Sequence, residues 1–183
     1  MPSENKIAVI YKSKYGSTKR YAEWIAQKLG AQTFSITEFD VSTLDGYSTV
    51  LFGSSVHIGK IKGIEFVKDN WAVLNKKQVV VFASTGAPKI EPKQHEAISA
   101  SLPPIIGQCI KYFPLPGAYC YSKLDFKDKL LMNFGPYAVF RFRAWFKRDQ
   151  KAKLQLSEFG KQQDWTSPEA VDPIVDCVKS ASV

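Results

Sequence analysis

The chain has 183 residues, of which 45% are apolar, so it is long enough for one globular domain with a buried core. Its net charge of +8 favours an anionic partner over a basic one. Three scattered cysteines without C-x-x-C spacing exclude a disulfide framework, and no metal site is predicted. The sequence shows neither a signal peptide nor an apolar run of ~20 residues, so we expect a cytoplasmic protein.

Strands and helices alternate along the chain. Candidate strands lie at 6–11, 32–36, 48–53, 78–83 and 110–119. Candidate helices lie at 17–29, 62–74, 93–101 and near 168–180, the last with Ser167 as its N-cap and an interruption expected at Pro173. This alternation predicts an α/β fold with a parallel sheet and helices on both faces.

The first strand ends at a loop rich in hydroxyl groups that leads directly into a helix. Ser13, Ser17 and Thr18 offer O–H donors around Gly16, which allows an oxygen to approach the backbone closely. Unpaired N–H groups and the helix dipole add partial positive charge at the same place. The loop therefore predicts an anion site, although a simple helix cap is the alternative. Its spacing matches neither G-x-x-x-x-G-K-[ST] nor G-x-G-x-x-G.

Residues 9–25 follow a recognisable pattern. Two apolar residues and an aromatic (Val9 to Tyr11) precede the motif S-x-x-G-x-T at 13–18, and an alanine and an aliphatic residue follow one turn apart, at 22 and 25. This pattern resembles the flavodoxin signature. The resemblance implies a flavodoxin-like three-layer sandwich whose five-stranded parallel sheet has the order 2-1-3-4-5, with its ligand between strands 1 and 3. It also implies FMN rather than FAD, since the loop builds one terminal phosphate pocket. The phosphate contacts would be Ser13, Lys14, Tyr15, Gly16, Ser17 and Thr18.

Two further loops follow the third and fourth predicted strands and would flank a flat flavin ring. The first would contribute Ser54, Ser55, Val56, His57, Ile58 and Gly59. The second would contribute Ser84, Thr85, Gly86 and Ala87. His57 is a candidate proton donor, with a packing role as the alternative. The second loop has no aromatic residue, so one ring face would stay open to a substrate, which favours an enzyme.

The segment at about 121–163 does not fit the strand–helix alternation and is interpreted as an insertion in a single domain covering 1–183. It contains ten basic residues, four acidic residues and nine aromatics. Its basic cluster consists of Arg141, Arg143, Lys147 and Arg148. We expect this cluster to bind carboxylates of an anionic substrate or an anionic membrane surface, with a solvated surface as the alternative.

Several features narrow the resemblance to one branch. The loop Gly53-Ser54-Ser55-Val56-x-x-Gly59-Lys60, the strand ending Pro116-Gly117-Ala118-Tyr119 and the pair Asp164-Trp165 are similar to the flavodoxin-type menaquinone-dependent protoporphyrinogen IX dehydrogenases. That resemblance implies oxidation of a tetrapyrrole, with a quinone as acceptor, and peripheral contact with the inner face of a membrane.

Three other functions remain open at the level of the sequence. A soluble electron carrier is disfavoured by a pI near 9.3, and an NAD(P)H:quinone reductase would use the insertion to hold a nucleotide phosphate. A nucleic-acid-binding domain would leave the phosphate loop unexplained, so no nucleic-acid partner is expected.

Overall fold

The structure is a computed structural model that describes residues 6–89, 91–100, 102–134 and 161–181, together with positions 138, 141, 142, 144, 145 and 150. The chain divides into two compact units. The first consists of Met1–Gly117 and Trp165–Val183, and the second of Ala118–Asp164, which covers the predicted insertion. The assignment of a single domain stays a prediction.

The first unit is built on a sheet of five parallel strands. These strands are β1 (Ile7–Tyr11), β2 (Gln32–Ser35), β3 (Thr49–His57), β5 (Gln78–Ser84) and β6 (Lys111–Leu115). Their order is β2-β1-β3-β5-β6, and the short strand β4 (Lys60–Ile61) pairs antiparallel with β3. Counted among the parallel strands alone, this is the predicted order 2-1-3-4-5.

Helices cover both faces of the sheet. The α-helices of the first unit are α1 (Ser17–Leu29), α2 (Glu65–Asp69), α3 (Trp71–Leu74), α4 (Pro92–Ser99), α5 (Pro104–Cys109) and α7 (Asp172–Ser180). Two 3₁₀ turns, Val41–Gly46 and Pro168–Val171, complete this unit.

Two apolar cores lie on opposite faces of the sheet because successive strand residues point to opposite sides. Ile10 and Phe52 belong to one core, together with Val67 of α2. Val9 and Phe82 belong to the other, which is filled from α1 and α7. The apolar residues Val171, Ile174, Val175 and Val178 near the end of the chain are all buried. The three-layer α/β fold is therefore confirmed.

Three predicted elements differ from the structure, and each difference has a physical cause. The third strand does not end at residue 53: it continues to His57, since Ser54 and Ser55 still pair with β5. The helix predicted at 62–74 starts only after Gly63, which has φ +69°, and is split at Asn70. The Asn70 side-chain amide donates to the Phe66 carbonyl at 2.8 Å, so it competes with the helical backbone.

The strand predicted at 110–119 is also interrupted. Strand β6 ends at Leu115, and Ala118–Tyr119 forms a separate strand, β7, that pairs antiparallel with β8 (Gln163–Asp164). The interruption predicted at Pro173 is a change of helix type, because the 3₁₀ turn gives way to α7 with proline in its first turn. A proline there costs no hydrogen bond.

The second unit begins and ends with the β7–β8 pair. It also contains a 3₁₀ turn at Tyr121–Lys123 and the helix α6 (Phe126–Phe134). Several apolar side chains of this unit are exposed, with Phe126 and Phe134 each at 79% and Trp145 at 77%. Of the helices that the structure describes, none has the length and apolar character that crossing a bilayer requires.

Candidate functional site

The loop between β1 and α1 has the backbone geometry of an anion cradle. Gly16 has φ +97° and ψ −23°, and its N–H donates to the Ser13 hydroxyl oxygen at 3.1 Å. Helix α1 then begins at Ser17 with no acidic residue in its first turn and, among the described residues, no side chain that caps it. The positive end of the helix dipole is therefore not neutralised locally, which suits a bound phosphate.

The two hydroxyl residues that open α1 are buried. Ser17 is 7% exposed and Thr18 is 1% exposed. The Thr18 hydroxyl is hydrogen-bonded to that of Ser84 at 2.9 Å, so the helix start is fixed to the end of β5. Lys14 and Tyr15 lie outside on the loop, where the Lys14 ammonium is 5.0 Å from the centre of the Tyr15 ring.

The residues predicted to form the loop at 54–59 instead build a β-hairpin. Val56 pairs with Ile61 and His57 pairs with Lys60, so that Ile58 and Gly59 form the two-residue turn. Both turn residues have positive φ, 49° and 70°, as a type I′ turn requires. Ile58 is 72% exposed, and a β-branched residue with positive φ is strained.

Ser54 and Ser55 lie inside β3 rather than in the turn. Ser54 is completely buried, and no described group hydrogen-bonds its hydroxyl. The Ser55 carbonyl accepts the Lys62 N–H at 3.0 Å, which holds the chain after the hairpin against β3. Cofactor contacts of these two serines stay predictions.

The loop predicted at 84–87 follows β5, and the end of β6 holds it in place. The Thr85 N–H donates to the Leu115 carbonyl at 3.1 Å, while Gly86 and Ala87 continue the turn. Gly117 packs so closely here that a Cβ at this position would lie 1.8 Å from the Thr85 carbonyl oxygen. No spacing pattern predicted this close contact, since it depends on where two strands end.

These three segments meet at the carboxyl edge of the sheet, with β1 and β3 side by side at the point where the strand order reverses. In parallel α/β sheets this is where ligands bind. The structure thus brings together the residues predicted at 13–18, 54–59 and 84–87. Of the basic cluster, Arg141 is exposed, whereas Arg143, Lys147 and Arg148 lie outside the described residues.

The flavodoxin domain family matches residues 8–135. The chain belongs to this family. An uncharacterized protein of Methanocaldococcus jannaschii is 27% identical over 117 residues, which is 63% of this chain and 73% of that protein. A solved archaeal flavodoxin is 26% identical over 44% of this chain, with a TM-score of 0.41, and the match spans 63% of that flavodoxin's length. Flavodoxin 2 from Bacillus cereus is 17% identical, over 61% of this chain and 84% of its own, with a TM-score of 0.44.

Family membership indicates FMN as the cofactor and a flavoprotein that acts as an electron carrier or an oxidoreductase. The cradle fits the phosphate of FMN: it has an uncapped helix start, a glycine in the left-handed region and a loop without carboxylates. When bound, FMN supplies hydride or electron transfer. The protein's own groups would hold the phosphate at 13–18 and place the ring between the hairpin and the loop after β5.

Proposed function

We propose that this protein is an FMN-dependent oxidoreductase acting on an anionic tetrapyrrole, and that the substrate is protoporphyrinogen IX with a quinone as electron acceptor. The observation that carries the proposal is the chemistry of the second unit. Phe126, Leu130 and Phe134 follow one another at i, i+4 spacing on α6 and are all exposed. Lys127 and Lys129 lie between Phe126 and Leu130, on either side of Asp128, so apolar surface and charged groups occur together on this helix.

A tetrapyrrole with carboxylate side chains needs both kinds of surface. Aromatic side chains can cover a macrocycle, and guanidinium groups bind carboxylates with two parallel hydrogen bonds. Arg141, Arg143, Lys147 and Arg148 would supply the cations in this proposal. The resemblance to the protoporphyrinogen IX dehydrogenases supports the choice of substrate.

The boundaries of the second unit allow a direct test. Its two ends pair with each other, Ala118 with Asp164 and Tyr119 with Gln163, so a short Gly/Ser turn can close the chain in place of the residues between them. We expect this excision variant to fold and to bind FMN. Anaerobic assays should show protoporphyrinogen oxidation by the full chain with a quinone acceptor, and little turnover by the variant.

The possible outcomes separate the candidate functions. A full chain that holds FMN but oxidises neither protoporphyrinogen nor NADPH contradicts the enzyme proposal and leaves the electron carrier. Rapid NADPH oxidation with quinone reduction would indicate the reductase instead. Loss of FMN or of folding on excision would show that the aromatics of the second unit stabilise the protein.

The basic cluster can be assigned by changing all four of its residues to glutamate. If the cluster holds the substrate, the apparent KM rises while vesicle binding is negligible already in the unmodified protein. If it contacts a membrane, binding to anionic vesicles is present, falls steeply with salt and is lost in the variant. Gly135-Pro136 shortens the amphipathic pieces of the sequence, which favours the substrate role.

A further inference from the structure

The loops around the flavin site carry an unusual charge pattern that FMN binding alone does not require. Residues 12–16, 58–64 and 85–89 follow β1, β3 and β5, the three strands whose carboxyl ends carry the residues predicted to hold FMN. They contain five lysines and no aspartate or glutamate. We define the cationic rim as Lys12, Lys60 and Lys62. Lys14 is left out because it belongs to the phosphate loop, and Lys89 is left out as well.

The rim lysines belong to segments that contact one another. The Lys12 N–H donates to the Gly53 carbonyl at 2.8 Å, so the end of β1 is fixed beside β3. The Lys12 side chain crosses to the turn after the hairpin, where its Cδ would be 2.8 Å from a Cβ built on Gly63. Lys60 pairs with His57, and the Lys62 backbone is bonded to Ser55. The three cations therefore approach the same edge of the sheet from two neighbouring strands.

Within the described part of the chain, no carboxylate forms an ion pair with a rim lysine. The ion pairs found there join Lys19 to Glu23 and Lys28 to Asp172, on the helices. The positive charge of the rim is therefore available to a group bound at this edge.

We infer that the cationic rim raises the affinity of the site for two-electron-reduced FMN relative to its affinity for oxidised FMN. Reduction adds two electrons and one proton to the ring, so the ring gains one negative charge. A nearby cation stabilises that charge, whereas it has little effect on the neutral oxidised ring. The phosphate is present in both states, so its interaction with the lysines cancels from the affinity ratio. The rim thus favours a flavin that accepts electrons from its substrate.

The size of the effect follows from Coulomb's law. As an order-of-magnitude example, a cation placed about 10 Å from the added charge, in an effective dielectric constant of about 40–80, would change the affinity ratio by about two- to fourfold. Three cations give about tenfold or more. A tenfold change corresponds to about 30 mV in the midpoint potential of a two-electron couple. The inference requires FMN binding but holds whether the protein is an enzyme or an electron carrier.

The test compares two triple variants that lower the net charge equally, from +8 to +5 by loss of three lysines. The rim variant carries Lys12→Gln, Lys60→Gln and Lys62→Gln. The control variant carries Lys6→Gln, Lys76→Gln and Lys111→Gln, which precede or begin β1, β5 and β6 at the opposite edge of the sheet and are all exposed. Apoprotein is titrated anaerobically with oxidised FMN and with dithionite-reduced FMN.

We expect the ratio Kd(oxidised)/Kd(reduced) to fall about tenfold or more in the rim variant and less than twofold in the control. The difference should shrink in 0.5 M salt, since Lys12 and Lys60 are exposed to solvent and Lys62 is partly exposed. An unchanged ratio in the rim variant, or an equal fall in the control, would overturn the inference. If the rim variant does not bind FMN, the single substitution Lys60→Gln should lower the ratio about two- to fourfold. An unchanged ratio in that single variant would also overturn the inference. Failure of the unmodified protein to bind FMN would instead contradict the cofactor assignment.

Discussion

Two glycines at the ends of α1 allow the phosphate cradle to be tested separately from helix stability. Gly16 precedes the helix with φ +97° and ψ −23°, and Gly30 follows it with φ +62° and ψ +34°. A Cβ at either position would meet nothing within 4 Å, so neither change to alanine causes a steric clash. Alanine pays only for the backbone conformation, about 1–2 kcal/mol at Gly30 and about 1–3 kcal/mol at Gly16, whose ψ lies farther from the left-handed minimum.

Only one of the two substitutions should affect FMN. In Gly16→Ala the backbone relaxes towards negative φ, which turns its N–H away from Ser13 and reshapes the loop, so we expect FMN to bind at least about tenfold more weakly. A tenfold change in Kd corresponds to about 1.4 kcal/mol, which is less than the free energy that one or two charge-assisted hydrogen bonds to the phosphate contribute. Gly30→Ala should leave Kd within about twofold. FMN fluorescence quenching by apoprotein gives Kd, and urea unfolding of apoprotein gives the stability.

The comparison has a clear contrary result. Gly16→Ala protein that is less stable but binds FMN with unchanged Kd would show that the phosphate does not lie on this loop. Equal weakening by both variants would mean that FMN affinity follows the stability of α1 rather than the geometry of the cradle.

Three further predictions concern the loop after β5, a buried tyrosine and the hydroxyl groups of the phosphate loop. Gly117→Ala should destabilise the protein by about 1–3 kcal/mol and weaken FMN binding, because the added Cβ meets a backbone carbonyl. Gly86→Ala is the control, since a Cβ there meets nothing within 4 Å, and it should have neither effect. Thermal unfolding measures the stability and FMN titration measures the affinity. Tyr112→Phe should stabilise by about 1 kcal/mol, since no described group bonds the buried hydroxyl. Burial raises the pKa of Tyr112 from 10.0 to about 12, so the parent protein should lose stability as pH rises from about 10 to 12 and the variant should lose less, by urea unfolding. Ser13→Ala combined with Thr18→Ala should weaken FMN by about 2–4 kcal/mol, and an unchanged Kd would contradict the contacts assigned to these hydroxyls.

Helix α1 and the parallel strands could be predicted from the sequence because their signals are local. The apolar residues of α1 recur at i, i+4 spacing over about two turns, at Tyr21, Ala22, Ile25, Ala26 and Leu29. Gly16 and Gly30 mark both ends, so the predicted and observed helices coincide. The strand order was implied by the resemblance to the flavodoxin signature, which the five predicted strands suit. The residues predicted at 13–18 were brought next to those at 84–87 by the same topology.

The remaining features depend on contacts between distant parts of the chain. The residues after Gly53 are polar and small, as in a loop, yet Ser54 and Ser55 extend β3 because β5 offers matching backbone groups. Gly117 is required only because β6 ends beside Thr85. The cationic rim was not predicted because Lys12 is distant in sequence from Lys60 and Lys62, and only the pairing of β1 with β3 brings them to one edge of the sheet.

The central claim is that the loop between β1 and α1 holds the phosphate of FMN. It is tested most directly by titrating apoprotein with FMN and with riboflavin, which has the same ring but no phosphate. Two or three charge-assisted hydrogen bonds at about 1.5–3 kcal/mol each predict that FMN binds at least about a hundredfold more tightly. Equal affinity for the two flavins, or no binding of either, would contradict the account.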